Sequence, residues 1–142
     1  MSVENMKSAL EACSSSLDEL RESLAFFDEP STKKHDLTHR IVGDAVIKRF
    51  EVSFEYSWKL MKVAAEYEGS EAPGPRPAIQ EAVKYGWIDD PEFWAYALDA
   101  RNGSVHDYFG ITHEAYYDLV RNFVTKLDGM IGKIEKVVNR KS

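Results

Sequence analysis

Between Glu4 and Phe27 the apolar residues fall at Met6, Leu10, Cys13, Leu17, Leu20, Leu24 and Phe27, at intervals of 4, 3, 4, 3, 4 and 3. A strand alternates its faces every second residue and cannot gather these positions on one side, so the stretch is helical. A mean interval of about 3.5 residues further predicts that this helix lies along a neighbour at the shallow angle of a bundle. Cys13 sits on the seam and reads as a small core residue, because no basic neighbour is present to stabilise a thiolate. As the single cysteine it excludes an intrachain disulfide and any zinc site built from several thiolates.

A loop, Asp28-Glu29-Pro30-Ser31-Thr32, separates this helix from a second long one running from about Asp36 to Tyr67. One seam of the second helix is Val46, Phe50, Phe54, Trp58, Met61 and Ala65, and a further apolar set, Val52, Tyr56, Leu60 and Val63, occupies another side. Two faces therefore need covering. Either the helix is central to its own bundle or it also forms a subunit interface, and with few helices available a symmetric dimer is the favoured expectation. The prolines of Ala72-Pro73-Gly74-Pro75-Arg76-Pro77 predict a rigid, non-helical link. A short helix from about Pro77 to Tyr85 should stop at Gly86, and Asp90-Pro91 should open the next, from Pro91 to about Arg101. Thr112 is the expected cap of a last long helix to about Asn139, with Tyr116, Leu119, Phe123, Leu127, Met130, Ile134 and Val137 on its core side. No alternating strand pattern and no internal repeat occurs. The expected fold is a single all-α domain over residues 1–142, an up-and-down antiparallel helical bundle of three long and two shorter helices.

Lys plus Arg number 18 against 24 Asp plus Glu, and the net charge of −6 argues against a protein that coats nucleic-acid backbone. Two local basic runs, Lys33-Lys34-His35 with His39-Arg40, and Lys133, Lys136, Arg140 and Lys141, read first as solvated faces. The polar N-terminal stretch and the lack of any run of 18 uncharged apolar residues point away from secretion and membrane spanning and toward a cytoplasmic chain. His35 and His39 share a helix face, but Asp36-Leu37-Thr38 between them lacks the Glu of a zinc-protease arrangement, so no metal and no cofactor is expected. Neither Gly69-Ser70 nor Gly103-Ser104 is followed by Asp-x-Asp, the carboxylate pair that two-metal nucleotidyl transfer needs. The chain is therefore not a nucleotidyltransferase on its own.

The stretch richest in chemistry is Ala100-Arg101-Asn102-Gly103-Ser104-Val105-His106-Asp107-Tyr108. On an unbroken helix, at about 100° per residue, Arg101 and His106 would point roughly 140° apart. A break at Asn102-Gly103, with Ser104 as a new cap and Asp107 three positions on, would let them converge. Arg101 would then hold phosphate oxygens in its planar fork, Asn102 would add an amide, and His106 would move a proton to or from a ribose hydroxyl. One histidine does not serve easily as both acid and base, and a two-fold dimer would supply the second. The plainer alternative is that Arg101 pairs with a carboxylate and His106 caps a helix.

Arg101-Asn102-Gly103-Ser104-Val105-His106-Asp107-Tyr108 resembles the Arg-x4-to-6-His signature of the HEPN superfamily, with its His-x-Tyr extension. Ile47-Lys48-Arg49-Phe50-Glu51-Val52-Ser53-Phe54-Glu55-Tyr56-Ser57-Trp58-Lys59 resembles that superfamily's long second helix. More narrowly, roughly the whole chain is similar to the nucleotidyltransferase substrate-binding proteins, small helical subunits paired with a separate minimal nucleotidyltransferase. The resemblance implies a homodimeric bundle in which the motifs of two protomers face a common cleft for nucleotide or RNA, with the small nucleotidyltransferase encoded nearby. Arg101 and His106 are the implied catalytic pair, and Asn102, Ser104 and Tyr108 the substrate-binding candidates. The first expectation is a substrate- or nucleotide-binding subunit of a two-component nucleotidyltransferase. The alternative is a metal-independent endoribonuclease toxin, neutralised when the partner nucleotidylates Tyr108. A scaffold that only binds a partner through its helix faces is the third.

Overall fold

The computed structural model describes residues 2–103 and 113–141. Among them are six helices and no strand: α1 (Val3–Asp28), α2 (Pro30–Lys33), α3 (Asp36–Tyr67), α4 (Pro75–Lys84), α5 (Pro91–Gly103) and α6 (His113–Lys141). Ser2 opens α1, its hydroxyl accepting the Asn5 N–H at 3.2 Å, and Asp90 opens α5 by accepting the Phe93 N–H at 3.1 Å. Those short polar side chains satisfy amide donors that a first helical turn leaves orphaned.

Contacts between residues far apart in sequence fix the helix directions. Along α1 and α3, Ser16 Oγ meets Ser53 Oγ while Phe27 stacks on His39, so the two helices are antiparallel. Arg21 pairs with Asp128, and Arg121 pairs with Asp28, so α6 also runs against α1 and hence parallel to α3. Lys126 meets Asp90 and the Tyr116 hydroxyl reaches the Ala100 carbonyl, which sets α5 antiparallel to α6. Where α3, α5 and α6 meet, Phe50, Phe54, Trp94, Tyr116 and Phe123 form one ring cluster with centroids 5.0 to 6.3 Å apart. Several of these pairs are edge-to-face, the arrangement that the ring quadrupole favours.

The all-α bundle expected from the sequence is the observed fold, with three corrections at its joints. Pro30 starts a single helical turn where a loop was expected, because a proline at the first helical position forfeits only an amide that has no partner there anyway. The same reason starts α4 at Pro75, two residues ahead of the expected Pro77, after an extended Gly74. Helix α5 continues through Asn102 to Gly103 rather than stopping at Arg101. The expected cap at Thr112 lies outside the described residues.

The two-sided apolar character of α3 is met in part inside the chain. Packing of α1 and α4 against it buries Leu60 completely, and Val63 lies against the core. Val52 is only half-buried and Tyr56 remains 42% exposed. Ser53 and Ser57 are buried as well, their hydroxyls satisfied by Ser16 and by the Ser53 and Phe54 carbonyls. No described helix is long and apolar enough to cross a membrane.

Candidate functional site

Arg101 emerges from the last turn of α5, whose Ala100 carbonyl is held by the buried Tyr116 hydroxyl at 3.4 Å. From there its guanidinium crosses to α3, where Nη2 donates to Glu55 Oε1 at 2.5 Å, while Nη1 donates to its neighbour Asn102 Oδ1 at 3.1 Å. The second Glu55 oxygen faces Lys59 Nζ at 3.6 Å. Lys48, Glu51, Val52, Glu55, Arg101 and Asn102 line an open groove of about 400 Å³ over this pair.

Two formal cations and two formal anions thus share the groove wall. Arg101 and Glu55 are each about one-third exposed, so water and a ligand both reach the pair. Of the candidates drawn from the sequence, the structure brings Arg101 and Asn102 together at the groove. Ser104, His106 and Tyr108 lie outside the described residues.

Arg101 thus pairs with a carboxylate, as the plainer alternative from the sequence had it, and Glu55 is the partner that sequence reasoning did not name. The available signal was a polar stripe, Lys48, Glu51, Glu55 and Lys59, at intervals of 3, 4 and 4 within the second helix. Helical spacing places such residues on one side, but only the packing of α5 against α3 decides that Arg101 is what they meet. Among the described residues there is also no cluster of three or more His, Cys, Asp and Glu able to hold a metal ion. His39, considered with His35 as a helix-start polar pair, lies flat on the Phe27 ring at 4.1 Å.

Larger concavities lie elsewhere. One of about 640 Å³ gathers Asp28, His39, Tyr117 and Arg121 beside the start of α6. A second, of about 650 Å³, runs between Phe26 and Ile41 on the outer side of α1 and α3. A third, of about 530 Å³, lies between Trp87 and the end of α6.

Among solved structures, the chain is similar to a Thermus thermophilus protein, with 27% identity and a TM-score of 0.71 over 86% of this chain and 98% of that one. It also shares its fold with a Haemophilus influenzae protein described as having the fold of a substrate binding domain of a nucleotidyltransferase. That likeness has 21% identity and a TM-score of 0.63, over 94% of this chain and 99% of the other. No curated protein matches in sequence. The family described as nucleotidyltransferase substrate binding protein like matches residues 6–136, from the first seam residue of α1 to the last turns of α6. The chain belongs to that family.

Proposed function

We propose that this chain is the substrate-binding partner of a separate nucleotidyltransferase, and that the groove at Arg101 holds the anionic group of the nucleotide or acceptor presented to that enzyme. The observation that carries the reading is the emergence of Arg101, within a chain matched to the family over residues 6–136, at an open groove rather than in the core. A planar fork shared between Glu55 and an incoming phosphate suits reversible presentation, since the carboxylate resumes its place when the ligand leaves. The chain lacks the Asp-x-Asp carboxylates of metal-assisted transfer, so catalysis falls to the partner.

In this reading two copies associate through the uncovered turns of α3 at Val52 and Tyr56, which brings two Arg101 grooves side by side. The HEPN-like signature adds the expectation that His106 completes the cleft and that Tyr108 is a residue the transferase modifies.

Co-expression with the nucleotidyltransferase encoded beside this chain tests the proposal. The two proteins should co-purify, and Arg101→Ala should keep the complex while reducing transfer at least tenfold. Failure to associate would overturn the reading. So would cleavage of total RNA by the purified chain in chelator that disappears in His106→Ala, which would instead identify a ribonuclease. Intact mass after incubation with partner and ATP should show a nucleotidyl adduct that is absent from Tyr108→Phe.

A further inference from the structure

Helix α4 ends in a turn that builds a second, chemically different groove. The Gly86 N–H donates to the Val83 carbonyl and the Trp87 N–H to the Ala82 carbonyl, while Gly86 adopts φ +79°. This closure reverses the chain within one residue and leaves Tyr85 and Trp87 on the same side of it. Their rings stack, with centroids 4.9 Å apart and planes 22° from parallel. The Tyr85 hydroxyl is pinned to Ser70 Oγ at 2.6 Å, which fixes the ring against the body of the protein.

Facing this aromatic wall is the last stretch of α6. Lys133, Lys136 and Arg140 recur at i, i+3 and i+7, which places them on one side of the helix over about 10 Å of its axis. All three line the groove with Tyr85, Gly86, Trp87, Val137 and Asn139. The next cation, Lys141, is paired with Glu68 at 3.7 Å, and Lys84 is paired with Glu81. To the side chains of Lys133, Lys136 and Arg140 no described residue supplies an ion pair or hydrogen bond, and no described lining residue carries a carboxylate. Like charges on adjacent turns repel one another, and although the negative end of the α6 dipole offsets this at Arg140, an anion along the row would relieve it at Lys133 and Lys136. The groove holds about 530 Å³, a volume suited to one small organic ligand. Net charge −6 makes this local reversal of sign stand out against the rest of the chain.

We propose that the groove between the Tyr85–Trp87 turn and the Lys133–Arg140 face of α6 is a nucleotide-binding site, with the phosphates along the cations and the base against the half-buried Tyr85 ring, which the buried Trp87 backs from the core. The division of labour is the one that nucleotide binding requires: cations grip phosphate without regard to sequence, and ring faces take a planar base. A row of about 10 Å matches a short phosphate chain rather than a long polynucleotide track. The same chemistry is presented by a free nucleoside triphosphate and by the end of an RNA strand. The site stands apart from the Arg101 groove, and it is testable on the isolated chain without any transferase.

Titration of the purified protein with ATP in magnesium-free buffer, followed by calorimetry, should give saturable binding below millimolar concentration. Lys133→Glu with Lys136→Glu should weaken it at least tenfold. Reversing two exposed cations of the other basic run, Lys34→Glu with Arg40→Glu, should change it less than twofold. Inorganic triphosphate should bind at least fivefold more weakly than ATP, and Tyr85→Leu should remove that difference. Replacing ATP with short oligoadenylates distinguishes the source: affinity that rises with length identifies an RNA end, and constant affinity a free nucleotide. Absence of ATP binding at 5 mM, equal losses in the two charge-reversed proteins, or equal affinity for inorganic triphosphate would each overturn the proposal. Helical circular dichroism verifies that each variant is folded, and Lys133→Gln with Lys136→Gln repeats the test with milder changes should the reversal unfold the chain.

Discussion

Gly43 lies inside α3, where glycine ordinarily costs a helix about 1 kcal/mol relative to alanine. Here a Cβ would clash with the Tyr117 hydroxyl and stand 3.1 Å from the Phe27 ring. Withdrawing Tyr117 toward the neighbouring concavity would break up its contact with Phe27, 4.3 Å away, which itself stacks on His39. The packing term therefore reverses the propensity term, and Gly43→Ala should lower stability by about 1–3 kcal/mol in urea denaturation rather than raise it. An unchanged or higher midpoint would show that Tyr117 yields freely. Cys13 makes the opposite kind of prediction. Burial against α1's neighbours pushes its thiol from 9.0 up to about 12. Folded protein should leave Cys13 unreactive toward a thiol reagent at about pH 8, with full reaction once denaturant is added. Because the folded value lies above the unfolded one, the neutral thiol's contribution is complete below pH 9.0 and is lost as pH rises toward about 12. The burial of Cys13 was legible from its place on the first seam. Glu55 was not, since its partner lies 46 positions away and is chosen by tertiary packing.

At the level of elements, helix spans were legible wherever apolar periodicity ran long. The second helix falls on Asp36–Tyr67 as the sequence implies, because its seam repeats over many turns and Gly69 follows its end. Boundaries at prolines were harder, since a proline breaks a helix interior yet suits a first turn, and the residue alone does not say which applies at Pro30 or Pro75. The stop at Gly86 was legible for a stronger reason: a residue at φ +79° after a helix favours glycine over any side chain that carries a Cβ. No atom would meet an added methyl there, so the penalty for Gly86→Ala is purely conformational. We expect a loss of about 1–2 kcal/mol by thermal or chemical denaturation. The variant should also weaken ATP binding, because the turn sets the spacing of Tyr85 and Trp87. Unaltered stability would mean that the turn re-forms in another conformation.

For the whole molecule, the sequence posed a choice that one chain answers only halfway: whether the second apolar side of α3 is covered by the bundle or by another copy. Leu60 and Val63 are taken up internally, whereas Val52 and Tyr56 remain open beside the Arg101 groove. A separate apolar surface lies on the far flank, where Phe26 is 53% and Ile41 59% exposed. Composition could not choose between these surfaces, because both consist of large apolar residues on long helices and only the packed bundle reveals which turns are left uncovered. A dimer that joins two Arg101 grooves must use the first surface, and the two assignments separate cleanly by mutation. Light scattering should return about twice the 16.2 kDa chain mass for the wild type and for Ile41→Arg, but a single chain mass for Tyr56→Arg. The reverse pattern would move the interface to the Phe26–Ile41 flank and leave each Arg101 groove facing solvent alone. A charge at Tyr56 would then have no reason to alter assembly, since in the lone chain that side chain already stands partly in water and its ring makes no part of the central aromatic cluster.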